Sequence, residues 1–216
     1  MIIVTAPSRV ERIWIPRLSG VRCLRTPMGV GAGDSLSRSL QGLDAPRIIV
    51  STGFCGGLSK SVPVGTVVIG NTIEYEGKQI AVDASLVERA RKALMTANMP
   101  FHVGKIATTS SVVKLPQEKK NLARTGALAV DMESGPLACV ALAAGIGFLP
   151  LRVVLDTRDR PLLFNADRSD LLVALAHPIS TLHLLRTVII AGRVIGRAIA
   201  AIATELATRR EECVAW

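Results

Sequence analysis

"GALAVDMESGPLACVALAAGIGFLPLRVVLD", residues 126–156, reads as a strand, a short helix and a second strand. Ser134 is the expected N-cap of the helix, Pro136 falls in its first turn and Gly145 just past its end. The alanine-rich helix surface can lie close against a sheet. Strand, helix and strand in succession predict a right-handed parallel crossover, with the C-terminal ends of both strands on one rim. That rim, where open α/β sheets bind ligands, would carry Glu133 and Asp156 together. Alone, the acidic pair Asp131 and Glu133 would read as a solvated turn beside a cap. Asp156 on the same rim makes Glu133 half of a candidate site, whereas Asp131 is read as an ordinary strand residue directed away from Glu133.

The remainder of the chain alternates strands and helices in the same manner, without an internal repeat or low-complexity linker, which predicts one α/β domain. The chain has 216 residues, nearly half hydrophobic but only 3% aromatic, so its core is built from Val, Ile, Leu and Ala. "VPVGTVVIGNTIEYEG" alternates like a strand pair with a turn, "SLVERARKALMTAN" is an amphipathic helix ending at Asn98, and "QEKKNLART" is a polar helical turn or two. No stretch has the length and purity of a membrane span and the N-terminus lacks a basic-then-apolar signal, so a cytoplasmic protein is expected. Cys23, Cys55, Cys139 and Cys213 form no C-x-x-C pair and read as reduced thiols. The three histidines lack metal-ligand spacing, so no metal site is expected. A net charge of +9 is compatible with nucleic acid, an anionic membrane or an anionic substrate. One tyrosine and no arginine–aromatic cluster make nucleic acid the weakest of these.

Two glycine runs complete the pattern. "GVGAGD" places Gly29, Gly31 and Gly33 before a helix whose cap would be Asp34 or Ser35, and "STGFCGGLS" places Gly53, Gly56 and Gly57 after a strand. Each can bring backbone N–H groups close to an anion or a sugar. The first departs from G-x-G-x-x-G, and no strand-end acid stands at the distance needed for a ribose hydroxyl, which argues against a dinucleotide cofactor.

"MGVGAGDS", "STGFCGGLSKSVPVGTVVIG" and "AVDMESGPLACVALAAGIGFLPLRVVLDTRD" occur in that order over roughly residues 26–160. Together they resemble the nucleoside phosphorylase and nucleosidase family, which includes the methylthioadenosine/adenosylhomocysteine nucleosidases. "VVKLPQEKKNLARTGALAVDMES" and the basic apolar tail look most like the hopanoid-associated branch, whose enzymes release adenine from adenosylhopane. The resemblance implies a three-layer α/β/α domain with a mixed central sheet over residues 1–165, followed by an apolar, basic C-terminal helical tail over 166–216. It implies cleavage of the N-glycosidic bond of a purine nucleoside by a chain that forms an oligomer, a dimer foremost, and needs no cofactor.

The resemblance also distributes roles. Asp156 would hold or donate the proton at purine N7, Glu133 would accept from the ribose hydroxyls, and Met132 would pack on the ribose. Gly31 and Gly53 would line the site through their backbones. The family's water-activating Glu has Glu11 as its nearest counterpart, in "APSRVER" after the first strand. Several positions depart from the family pattern: Val112 stands where nucleosidases stack a Phe, Phe54 replaces the Ser of phosphate-binding phosphorylases, and Leu155 replaces a Ser beside Asp156. These departures favour water over phosphate, which stays open as a co-substrate. They also leave open a non-catalytic nucleoside-binding or membrane-docking module.

In the tail, Pro178 is expected to separate two helices, the second carrying Arg186, Arg193 and Arg197 on one narrow face. The segment reads as too interrupted to span a bilayer. It can pack on the core or lie at a membrane surface with its arginines toward anionic headgroups, and packing is favoured because the sheet needs covering.

Overall fold

The computed structural model describes residues 1–43, 46–159 and 178–208. The domain boundary expected at 165 and the helix expected before Pro178 lie outside the described residues. Strands β1 (Ile2–Ala6), β2 (Val21–Arg25), β3 (Ile48–Gly57), β4 (Val67–Tyr75), β5 (Lys78–Ala81), β6 (Phe101–Thr108), β7 (Ala127–Asp131) and β8 (Gly147–Asp156) form one mixed sheet. Helices α1 (Arg9–Arg12), α2 (Gly31–Leu40), α3 (Ala84–Thr96), α4 (Pro116–Ala123), α5 (Ser134–Ala143) and α6 (Pro178–Thr208) surround it. The order is β2-β1-β3-β7-β6-β4-β5, and β8 pairs with both β3 and β4. The ladders β3–β7–β6–β4–β8 therefore close on themselves. Most of this ring is buried on both faces, which accounts for its near-continuous Val, Ile and Ala runs.

The ring changes the expected crossover. β7 runs antiparallel to β3, and β8 runs parallel to it, so β7 and β8 point in opposite directions. Both flank the same strand, and Gly56 of β3 pairs with Val130 on one side and Asp156 on the other. The second glycine run is thus strand rather than loop, because bare backbone is needed where two strands converge. α2 starts at Gly31, inside the first glycine run, with Val30 rather than Asp34 or Ser35 at its cap. "VPVGTVVIGNTIEYEG" contains one long strand, β4, whose antiparallel partner β5 follows the turn at Glu76 and Gly77. Ser134 is the first residue of α5 rather than its cap; its N–H is received by the Asp131 carboxylate at 3.1 Å.

Helices α2 and α5 pack on one side of the sheet around Ile3, Leu36, Ile49 and Leu137. Helices α3 and α6 cover the other side around Val50, Leu94, Leu149 and Leu151. α6 contributes Ala191, Ile195, Ala198, Ile199, Ile202 and Leu206 to that core, and leaves Arg186, Arg193 and Arg197 exposed as expected. Contrary to the sequence reading, its segment Leu184–Thr208 is long and apolar enough to cross a membrane. A buried stripe nevertheless packs that helix on the sheet.

α6 also receives the turn that follows α1. A Cβ on Gly192 would lie 2.2 Å from Trp14 Nε1, and one on Gly196 2.5 Å from the Trp14 carbonyl oxygen, so this bare helix face is the seat of Trp14. The Trp14 backbone N–H in turn donates to the Glu11 carbonyl at 3.2 Å.

Ile195→Ala is expected to lower stability by about 2–5 kcal/mol in urea denaturation. Arg193→Ala, on the exposed face, should change it by no more than about 0.5 kcal/mol.

Candidate active site

The site is built over a buried cation. Arg152 lies in the middle of β8 with its side chain fully enclosed. Its Nε donates to Asp131 Oδ2 and its Nη2 to Ser51 Oγ at 2.9 Å. Asp131 is saturated: Oδ2 also accepts from the hydroxyl and the N–H of Ser134, and Oδ1 accepts from Thr108 Oγ1 at 2.8 Å. Asp131 is therefore no ordinary strand residue. It neutralises Arg152 and caps α5, and its charge acts on the neighbouring Glu133. Arg152 Nη1 is buried without a hydrogen-bond partner among the described residues and lies 3.3 Å from where a Cβ on Gly53 would stand.

Two further carboxylates approach the same place. Glu11 is buried at the end of its short helix, held through Oε2 by the Ser8 hydroxyl at 2.6 Å. Its Oε1 accepts from the Phe54 N–H at 2.8 Å and would lie 2.8 Å from a Cβ on Gly53. Any side chain at 53 would thus collide with Glu11 and press on Arg152. Burial raises the Glu11 carboxyl above its ordinary range, against the pull of Ser8, the Phe54 N–H and Arg152. Glu133, between β7 and α5, accepts from the Gly29 N–H at 2.9 Å. Burial first, then the Asp131 charge, push its carboxyl up to about 7.

Asp156 ends β8 beside Gly56. Opposite Cys55 and Gly56 the β8 ladder passes from Val154 to Asp156, so Leu155 is a bulged residue and the strand is re-aimed at the acid. The Asp156 carboxylate forms an ion pair with Lys119 of α4, whose Nζ also donates to the Thr157 carbonyl at 3.1 Å. Burial still raises the Asp156 carboxyl, outweighing the Lys119 ammonium that draws it down. From Gly53, near Glu11 and Arg152, to Gly56, near Asp156, is about 10 Å of strand, the span of a sugar joined to a base.

Of the residues expected from the sequence, Glu11, Gly53 and Phe54 come together. Met132 is packed by the first glycine run, its Cε 3.4 Å from where a Cβ on Gly29 would stand. The amide that reaches Glu133 belongs to Gly29, with φ +74°, and not to Gly31, which starts α2. Val112 is not packed among them and stands exposed between β6 and α4. Arg152 and Lys119 carried no role in the sequence reading. An arginine inside "FLPLRVVLD", a strand otherwise apolar to its end, was the available signal for the first; "QEKKNL" looks solvated throughout and gave none for the second.

This closed mixed sheet flanked by helices is the fold of known nucleosidases. The Helicobacter pylori 5′-methylthioadenosine/S-adenosyl homocysteine nucleosidase complexed with a pyrrolidine-based ligand superposes with a TM-score of 0.76 at 15% identity, covering 94% of this chain and 97% of that one. The chain belongs to the phosphorylase superfamily, which it matches over residues 4–182. Among curated relatives, it is 36% identical over 123 residues to a Myxococcus xanthus purine nucleoside phosphorylase of the DeoD type, covering 51% of each chain. It is 31% identical over 112 residues to the Thermotoga maritima 5′-methylthioadenosine/S-adenosylhomocysteine nucleosidase, covering 49% of this chain and 51% of the relative. The chain thus spans about half the length of these two relatives.

Asp131→Asn leaves a buried guanidinium short of its counter-charge and should cost about 3–5 kcal/mol in chemical denaturation, most of it recovered by adding Arg152→Met. Glu133 has a folded-state value of about 7 against 4.5 in the open chain, so its contribution is complete below the lower value and lost as pH rises through the upper. Glu133→Gln should therefore gain stability relative to wild type as pH rises above the lower value, reaching on the order of 3 kcal/mol by pH 8, measured by denaturation across pH.

Proposed function

We propose that this chain cleaves the N-glycosidic bond of a purine nucleoside with water as the acceptor. The observation that carries the reading is Glu11 Oε1 on the Phe54 N–H, beside the unpartnered Arg152 Nη1. The strand amide that would help to hold an incoming phosphate already has a carboxylate on it. Glu133 adds a second acid, and the nearby cation is neutralised by Asp131. Such a site disfavours a phosphate dianion and suits a neutral water, oriented by the arginine and deprotonated by a carboxylate of raised basicity. The superfamily membership and the named activities of the relatives support the same bond as the target.

In this reading the ribose lies over Met132, with its 2′- and 3′-hydroxyls donating to Glu133. As the C1′–N9 bond lengthens, positive charge builds on the sugar and the carboxylates favour it. Water adds to C1′ while Glu11 takes its proton, and Asp156 delivers a proton to N7 of the departing base. Burial fits Asp156 for that role by holding its carboxyl above the ordinary range. The finer reading makes the base adenine and the 5′ group apolar, as in adenosylhopane. It is supported by the likeness of residues 112–134 to the hopanoid-associated branch. It has the chain act as a dimer and meet an anionic membrane through α6, on which Leu182, Leu185 and Ile190 are exposed beside the arginines.

Incubation with adenosine, methylthioadenosine and adenosylhopane, with and without phosphate, should yield free adenine by chromatography at a rate indifferent to phosphate. The variants Glu11→Gln and Asp156→Asn should each lose about 10²–10⁴-fold in kcat. Base release that requires phosphate would overturn the choice of acceptor, and an Asp156→Asn variant as fast as wild type would overturn the acid.

A further inference from the structure

Lys119 is the one residue of "QEKKNL" that α4 turns fully inward: its side chain is 0% exposed, while that of its partner Asp156 is 15% exposed. The pair therefore has an inside and an outside. The ammonium lies behind, and the carboxyl carries the face that a ligand can reach. Glu118 and Lys120, on either side of Lys119, are exposed, so the inward turn is particular to this position. The Lys119 Nζ donates to Asp156 Oδ2 and to the Thr157 carbonyl. Asp156 Oδ1 lies 3.5 Å from where a Cβ on Gly56 would stand, and the bare glycine leaves that space to it.

We propose that Lys119 is the positioning residue of the leaving-base acid, fixing which oxygen of Asp156 carries the proton and receiving the charge left when that proton departs. This rests on the assignment of Asp156 as the acid. An ammonium has donors only, so the oxygen it faces has to act as an acceptor. In a neutral carboxylic acid that is the carbonyl oxygen, and the O–H is consequently on Oδ1, the oxygen beside Gly56. When the C1′–N9 bond breaks, its electron pair goes to the purine and the Oδ1 proton goes to the purine nitrogen. Asp156 remains as a carboxylate facing a cation already in place. The attraction is stronger after proton transfer than before it, so Lys119 acts on the barrier rather than on ground-state binding.

The test uses leaving groups of different need. A purine nucleoside requires protonation of its base, whereas 4-nitrophenyl riboside expels a stable anion without it. Lys119→Met should lower kcat on the purine nucleoside by about 100-fold with KM little changed, and stay within about 3-fold of wild type on the nitrophenyl riboside. Lys119→Arg, which keeps a buried donor cation, should recover part of the purine rate and serves as the reference if Lys119→Met does not fold. Equal losses on both substrates in either variant would make Lys119 merely structural and overturn the proposal. So would a Lys119→Met variant with wild-type purine kcat while Asp156→Asn is inactive. A fully active Asp156→Asn would instead remove the assignment of the acid on which the proposal rests.

Discussion

A guanidinium shut away from water is tolerated only where its charge is answered, and this one constraint at Arg152 organises the centre of the molecule. The answer comes from Asp131 on a different strand, so β7 and β8 are tied across the ring by an ion pair as well as through β3. Asp131 then has oxygen capacity left for Thr108 at the end of β6 and for the first turn of α5. One buried pair thereby fixes the ends of β6 and β7, the middle of β8 and a helix start. The Arg152 nitrogen that this arrangement leaves unpartnered among the described residues is the one beside Gly53, where Glu11 also approaches. The scaffold and the reactive end of the site share a side chain.

The second organising element is β3. Its C-terminal half lacks side chains at 53, 56 and 57, and each absence admits something different. At Gly53 it admits a carboxylate and the guanidinium, at Gly56 Asp156 and Lys119, and at Gly57 Val154 and the chain around Val62. A nucleoside laid along this strand would meet carboxylates at its sugar end and an acid with its cation at its base end.

Three acids of the candidate site were legible in the sequence, because Glu133 and Asp156 each end an apolar run and Glu11 closely follows one; Asp131, Arg152 and Lys119 were not. Their spatial relation was not. Periodicity identifies a strand, but the sign of its pairing depends on partners far away in the chain; the strand–helix–strand unit reads as a parallel crossover although the ring reverses β7 relative to β8. Glycines raise the same difficulty, since a bare position inside a strand and one in a loop look alike until the approaching neighbour is known. Lys119 was hidden for a third reason. A helix of eight mostly polar residues buries one lysine against an acid at the end of a distant strand, a partner that the local sequence does not reveal.

The seating of Trp14 on Gly192 and Gly196 joins two matters that otherwise look separate. α6 is the apolar, basic segment proposed to meet a membrane, and α1 carries Glu11, whose carbonyl receives the Trp14 backbone N–H. Lifting α6 off the sheet to immerse it would strip the indole of its seat and expose the stripe from Ala191 to Leu206. Any engagement with a lipid surface compatible with an intact Glu11 turn therefore has to be shallow: the helix stays docked and presents only its arginine face, as a keel rather than an anchor.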